Sequence, residues 1–390
     1  MINSKLPNVP TSIFAVMTKM AIEHNAINLS QGFPDFNCPD ELVSLVNKYQ
    51  KEGFNQYAPM PGIPSLRMKL SEKIKKLYKK EYHPETEITI TAGATQAIYT
   101  AITASINKGD EVILLEPAYD SYAPSVEING GKPVFVPLLK ENNKPDWDRV
   151  KDNITSKTKM IIVNSPHNPT GSVLNQNDIE ILEEIIQNSN ILIISDEVYE
   201  HIVFDGEEHF SLASSEELSQ RSFIISSFGK TYHTTGWKLG YCAAPEHLTN
   251  EFRKIHQFIV FSVNTPVQYA YAEFLNNEEH YLSLSSFYER KRNFILNLLK
   301  ETKFKFTPAK GTYFQLLDYS NISDLDDMKF AEFLTKEFGV AVIPLSPFYF
   351  NNYNGKVIRI CFAKKDDVLK EGMMRLINAA VQIHKFNKVY

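Results

Sequence analysis

Between residues 88 and 243 the chain alternates short apolar, β-prone runs with helical stretches, and this rhythm leaves few architectures open to it. The runs fall at 88–91, 111–115, 160–163, 191–195, 222–225 and 239–243. Alternation of this kind predicts an α/β fold, a largely parallel sheet with helices on both faces. Such folds bind their ligands at the carboxyl edge of the sheet. The residues that follow each run are therefore the candidate site.

At 390 residues and 44.6 kDa the chain is too long for one small core, so two packed regions are expected. Residues 12–23, 39–52 and 65–78 carry helical patterns, separated by the irregular stretches 28–36 and 56–64, which are broken by Gly and Pro. Residues 248–276 read as helix, and a longer helix over 278–302 leads out of the sheet. Strands at 312–317, 340–344 and 357–362, mixed with helices at 328–338 and 366–384, make a smaller α+β unit. The expected division is an N-terminal arm over 1–35 that joins the small domain, a large ligand-binding domain over 36–277, and a small C-terminal domain over 278–390.

A net charge of −5 and a pI near 6.1 argue against a nucleic-acid partner, which needs a basic face, and leave small metabolites as ligands. Cys38, Cys242 and Cys361 lie far apart, with neither metal-site nor disulfide spacing, so a cytoplasmic protein without a metal is expected. No apolar run reaches membrane-spanning length, and the first residues do not read as a cleaved leader.

The residues after the runs share a chemistry. Ser227 and Lys230 follow 222–225, among small residues that continue to Gly240. A lysine in a crowded, partly dry site loses its charge readily and becomes a nucleophilic amine, the form that makes Schiff bases. Gly93, Ala94 and Thr95 form a small-residue turn opening a helix, which either offers N–H groups to an anion or is simply a tight turn. Tyr119 could cover a planar ligand or fill the core. Asn168, in Asn164-Ser165-Pro166-His167-Asn168-Pro169, offers amide donors or serves the turn. Asp196 ends an apolar run and needs a cation, which a protonated pyridine nitrogen would supply, unless it is a helix cap. Tyr199 either donates toward a ring oxygen or packs. His167 and His233 read as packed side chains. Phe33, Tyr57, Met60 and Phe261 are candidates for an apolar pocket or for core.

Five motifs carry a resemblance across nearly the whole chain. They are Gln-Gly-Phe-Pro-Asp-Phe at 31–36, Asn-Gln-Tyr-Ala-Pro-Met at 55–60, His-Asn-Pro-Thr-Gly at 167–171, Ser-Asp-Glu-Val-Tyr at 195–199 and Ser-Phe-Gly-Lys-Thr-Tyr-His at 227–233. In this order they resemble the class I pyridoxal-phosphate aminotransferases of fold type I, in particular the methionine and kynurenine aminotransferase branch. The resemblance implies a seven-stranded-type, mostly parallel sheet and a cofactor, pyridoxal 5′-phosphate. It implies that Lys230 holds the cofactor aldehyde and moves the substrate proton, and that Asp196 keeps the pyridine nitrogen protonated. Asn168 and Tyr199 would bind the ring oxygen, and Tyr119 would stack on the ring. Gly93, Ala94, Thr95, Ser227 and Lys238 would hold the phosphate, joined by Tyr57 from the second subunit of a homodimer. Arg359, with Asn168 and the Gly32 backbone, would clamp the substrate carboxylate. Lys238 stands where many of the wider class have arginine, and it supplies a point charge in place of a planar fork.

The implied reaction moves the amino group of an L-amino acid (methionine, an aromatic amino acid or kynurenine) to a 2-oxo acid by a ping-pong route through the pyridoxamine form. A cysteine-S-conjugate β-lyase using the same site is the alternative. A DNA-bound cofactor sensor lacks its basic helix-turn-helix here, and a nicotinamide dehydrogenase lacks its G-x-G-x-x-G turn.

Overall fold

The computed structural model describes residues 2–350, 353 and 355–386. Its strands in chain order are β1 (Ile27–Asn28), β2 (Ile88–Thr91), β3 (Glu111–Glu116), β4 (Lys132–Pro137), β5 (Thr158–Asn164), β6 (Leu192–Asp196), β7 (Ser222–Ser227), β8 (Gly240–Ala243), β9 (Phe314–Asp318), β10 (Val340–Ala341), β11 (Ile343–Pro344) and β12 (Val357–Cys361). Strands β2 to β8 form one seven-stranded sheet in the order β2-β8-β7-β6-β5-β3-β4. Every pairing is parallel except those of β8, which runs antiparallel to both β7 and β2. Met160, Ile161, Ile162 and Val163 of β5 are buried on both faces, as a sheet covered by helices on each side requires.

Strand β4 has no counterpart among the expected runs. Pro133 and Pro137 disguise it, and its place at the sheet edge is where missing N–H groups are tolerated. The helix expected over 248–276 is two helices, Glu246–Ile259 and Thr265–Phe274, separated at Phe261, whose φ is +63°. The Asn264 side chain caps the second, accepting from the Val267 N–H at 3.2 Å. The helix expected over 278–302 resolves into Glu279–Leu282 and Leu284–Leu299. The single strand expected over 340–344 is split between two sheets: β10 pairs in parallel with β1, and β11 joins the antiparallel sheet β11-β12-β9. Among the described residues no helix is long and apolar enough to cross a membrane.

The first five helices are α1 (Ile13–Glu23), α2 (Asp40–Lys51), α3 (Pro64–Tyr78), α4 (Ala94–Ser105) and α5 (Tyr122–Ile128). Helix α3 starts on Pro64, whose fixed φ suits the first turn and whose absent N–H is not missed there. Just before it, Gly62 has φ +99° and lies so close to β2 that a Cβ would sit 2.2 Å from Ile90 Cγ1. Gly62→Ala therefore combines backbone strain with a core clash, and it is expected to lower stability by roughly 2–4 kcal/mol in urea unfolding. A loss under about 0.5 kcal/mol, the level of an ordinary surface change, would contradict that packing.

Candidate active site

Because β5, β6 and β7 run parallel and in register, their ends fall side by side, with Asn164 opposite Asp196 and Asp196 opposite Ile225. Together with the turn before α4 they enclose a cavity of ≈ 170 Å³. Gly93, Ala94, Thr95, Tyr119, Asn168, Asp196, Tyr199, Ser227, Lys230 and Lys238 all line it, as expected from the sequence. Tyr57 does not: it is 81% exposed, and its ring meets that of Phe261 edge to face. Phe33, Met60 and Phe261 are likewise absent from the cavity wall, and so are Gly32 and Arg359, which reach it only through their hydrogen bonds to Lys230 and Asn168.

The cavity has two electrostatically different ends. At one, α4 begins at Gly93, whose side-chain-free backbone (φ +79°) gives no capping hydrogen bond, so the first N–H groups of the helix face the cavity with the positive end of its dipole. Lys238 Nζ lies 3.4 Å from where a Cβ of Gly93 would stand, which places the ammonium against the turn. At the other end Asp196 takes a hydrogen bond from the Tyr122 hydroxyl (2.5 Å) and one from the Val198 N–H (3.3 Å), both neutral donors. Burial raises its pKa to about 6, against the pull of those bonds.

Lys230 follows from the one-turn helix Phe228–Thr231 at the end of β7. Its Nζ donates to the Gly32 carbonyl at 2.8 Å, which also accepts from the Tyr313 hydroxyl at 2.6 Å. The ammonium lies 5.8 Å from the Tyr199 ring centroid and 5.6 Å from that of Tyr313. Burial pushes its pKa down to about 8. Gly32 can offer its carbonyl here because a Cβ would sit 2.8 Å from Phe314. With that carbonyl engaged, only its N–H could serve a carboxylate.

Arg359, in the middle of β12, is buried. Its Nη1 donates to Asn168 Oδ1 (2.7 Å) and its Nη2 to the Ser30 carbonyl (3.2 Å), while Nε is buried without a partner. The guanidinium lies 3.8 Å from the Phe314 ring centroid, with Phe14 and Phe348 at 5.3 and 5.2 Å. Burial lowers its pKa to about 10, leaving it charged at neutral pH. With Asn168 Oδ1 held by Arg359, the Asn168 amide has its Nδ2 to offer.

Tyr122, Asn164 and Tyr313 belong to the site but were not singled out by sequence reasoning. Asn164 donates to the Asp196 carbonyl (2.8 Å) and accepts from the Asn168 N–H (2.8 Å), locking two strand ends together. Its place at the head of the Asn-Ser-Pro-His-Asn-Pro run was the available signal. His167 and His233 are packed: His167 Nδ1 meets Thr170 Oγ1 at 2.8 Å and His233 sits edge-on to Phe36, with burial lowering both to a pKa of about 4.

The family described as aminotransferase class I and II matches residues 24–376 of this chain. The chain belongs to that family. It is 46% identical over 374 residues to the methionine aminotransferase of Escherichia coli K12, covering 96% of this chain and 97% of that protein. The Dictyostelium discoideum kynurenine–oxoglutarate transaminase is 34% identical, with 94% and 93% covered. The solved structure of the E. coli methionine aminotransferase superposes with a TM-score of 0.95 over 97% of this chain and 99% of that one. The architecture is accordingly fold type I, and the protein is an aminotransferase dependent on pyridoxal 5′-phosphate. Its cavity fits that group: a helix N-terminus with an adjacent ammonium suits a phosphate, and a buried carboxylate with only neutral donors suits a protonated pyridine nitrogen.

Two pH dependences follow for the cofactor-free protein. Asp196 has a folded pKa raised above its ordinary 3.8, so its stabilising contribution is complete below about pH 4 and is lost as pH rises through about 6. Asp196→Asn is expected to raise the unfolding free energy at pH 8 by roughly 1–3 kcal/mol and to give no such gain near pH 4. Urea titrations at both pH values check this, and destabilisation at pH 8 would contradict it. Lys230, conversely, gains its neutral amine as pH rises through about 8. The rate at which the apoprotein captures pyridoxal phosphate, followed by absorbance, should rise with a midpoint near 8, whereas a midpoint near 10.5 would mean an ordinary solvated lysine.

Proposed function

We propose that Lys230 is the residue that carries the cofactor and, once released by substrate, moves a proton to and from the substrate α-carbon. Bound pyridoxal phosphate supplies an electron sink for the charge left when that proton departs. Ionised Asp196 keeps the ring nitrogen protonated. The Asn168 amide and the Tyr199 hydroxyl donate to the ring oxygen, and Tyr119 covers one face of the ring. The Gly93–Thr95 turn, Ser227 and Lys238 hold the phosphate. Arg359 binds the substrate α-carboxylate, with Asn168 and the Gly32 N–H beside it.

The observation that carries this reading is Arg359, a buried guanidinium with an unpartnered Nε, next to the amide of the cavity-lining Asn168. A charge held in such a place calls for an anionic ligand. The donor is read as an L-amino acid with an apolar side chain, methionine first, then aromatic amino acids or kynurenine, with a 2-oxo acid as acceptor. Two observations support this: the 46% identity to a methionine aminotransferase and the ring cluster Phe14, Phe314 and Phe348 around Arg359.

The same proposal includes a homodimer in which Tyr57 reaches the partner's phosphate site. The exposure of Tyr57, edge-on to the exposed Phe261, supports it. A division at 1–35, 36–277 and 278–390 is supported by the β1–β10 pairing, which ties the arm to the C-terminal unit. A cytoplasmic location is supported by three free cysteines, of which Cys38 is partly accessible.

Half-reaction spectra with a panel of amino acids test the substrate class: methionine and phenylalanine should discharge the cofactor band far faster than aspartate, and preference for aspartate would refute it. Arg359→Gln should raise KM for methionine by about 100-fold, the equivalent of roughly 3 kcal/mol for a lost charge-assisted pair. An unchanged KM would move the carboxylate site elsewhere.

A further inference from the structure

One buried ion pair lies outside the chemistry described so far. From the last residue of β6 onward, Asp196 and Tyr199 line the cavity, whereas Glu197 and Glu200 are buried and tied elsewhere. Glu197 accepts from Ser195 Oγ (2.8 Å) and the Leu212 N–H (3.1 Å), and its other oxygen lies 3.0 Å from His209 Nε2. Glu200 accepts from Lys73 Nζ (2.8 Å), Tyr78 Oη (2.6 Å), Ser226 Oγ (2.7 Å) and Tyr241 Oη (3.2 Å). One carboxylate thus gathers α3, β7 and β8 at a single point.

The placement of those bonds matters for the cavity. Glu200 follows Tyr199 directly, and Ser226 directly precedes Ser227, four residues before Lys230. Both side chains of the pair are almost wholly buried, at 8% and 2% exposure. Burial opposes the charge on Glu200, but Lys73, His201 and the hydrogen bonds outweigh it and hold the carboxyl well below the usual range. A buried ion pair of this sort adds little net stability over an apolar pair of the same volume. What it does fix is geometry, because each bond tolerates only a narrow range of distance and direction.

We propose that the Lys73–Glu200 pair is a positioning element for transamination: by holding the Ser226 hydroxyl and the residue after Tyr199 to one point on α3, it sets Ser227, Lys230 and Tyr199 relative to bound pyridoxal phosphate. Neither Lys73 nor Glu200 touches the reacting atoms. Their effect passes through the strand ends, where displacements well under an ångström alter alignment of the groups that react. The inference rests on the roles assigned above to Lys230 and Tyr199.

Two variants test it. Ser226→Ala cuts the bond to β7 and leaves the ion pair whole, so no buried charge loses its partner. The double variant Lys73→Met with Glu200→Gln removes both charges together. Each is measured for apoprotein Tm, pyridoxal phosphate Kd by fluorescence titration, the pH midpoint of the visible cofactor band, and kcat and KM for L-methionine. Expected are a Kd weakened roughly 3-fold in Ser226→Ala and roughly 10-fold in the double variant, a shifted band midpoint, and a kcat that falls while KM holds. Wild-type Kd, midpoint and kcat in Ser226→Ala would overturn the proposal, and this variant decides the matter alone if the double variant does not fold. If wild-type protein takes up pyridoxal phosphate while Ser226→Ala is indistinguishable from it, the positioning role fails by itself. If wild-type protein takes up none, the assignment of the site fails instead.

Discussion

A carboxylate buried among neutral donors is the constraint around which this molecule is arranged. Asp196 sits at the end of β6 with a phenol and a backbone amide as partners, and burial outweighs those bonds and raises its pKa to about 6. Left without a cation, that group destabilises the neutral-pH fold by up to roughly 3 kcal/mol. Under the proposed assignment a protonated ring nitrogen would reverse the balance, so the same desolvation that weakens the apoprotein would strengthen its hold on the cofactor. Lys230 obeys the mirror-image rule: the dry pocket disfavours its ammonium and leaves an amine that can react near neutral pH.

The sheet makes this arrangement possible. Parallel strands in register end at one edge, so Asn164, Asp196 and Ser227 arrive side by side without any long loop having to place them. The antiparallel β8 then brings Gly240 against β7 and the turn at Gly93, where a Cβ would lie 2.7 Å from the Ser226 carbonyl. The later strands supply the groups proposed to bind substrate: β12 carries Arg359 and β9 carries Phe314, while the loop after β1 carries Gly32. Residues from three distant stretches meet because β1 pairs with β10 and Arg359 reaches across to Asn168.

Much of this was legible in the sequence because strand ends are a local signal. Each apolar run of the large sheet gave away its own terminus, and ten expected residues line one cavity as a result. Strand β4 escaped because prolines mask an edge strand, although its alternation with helices continues unbroken. The break near residue 261 was signalled by Asn264 and Pro266, a cap and a first-turn proline, hidden within a long apolar pattern. Tyr122, Tyr313 and Glu200 could not be read in advance, since their roles depend on which distant side chain each one meets. Tyr57 is exposed and does not line the cavity of its own chain.

The most direct measurement is borohydride reduction of the pyridoxal-phosphate-loaded protein followed by peptide mass mapping. The account predicts one reduced adduct, on Lys230, with the visible band lost in step with its formation. An adduct spread over surface lysines, or a bleached protein in which the peptide holding Lys230 keeps its unmodified mass, would contradict it.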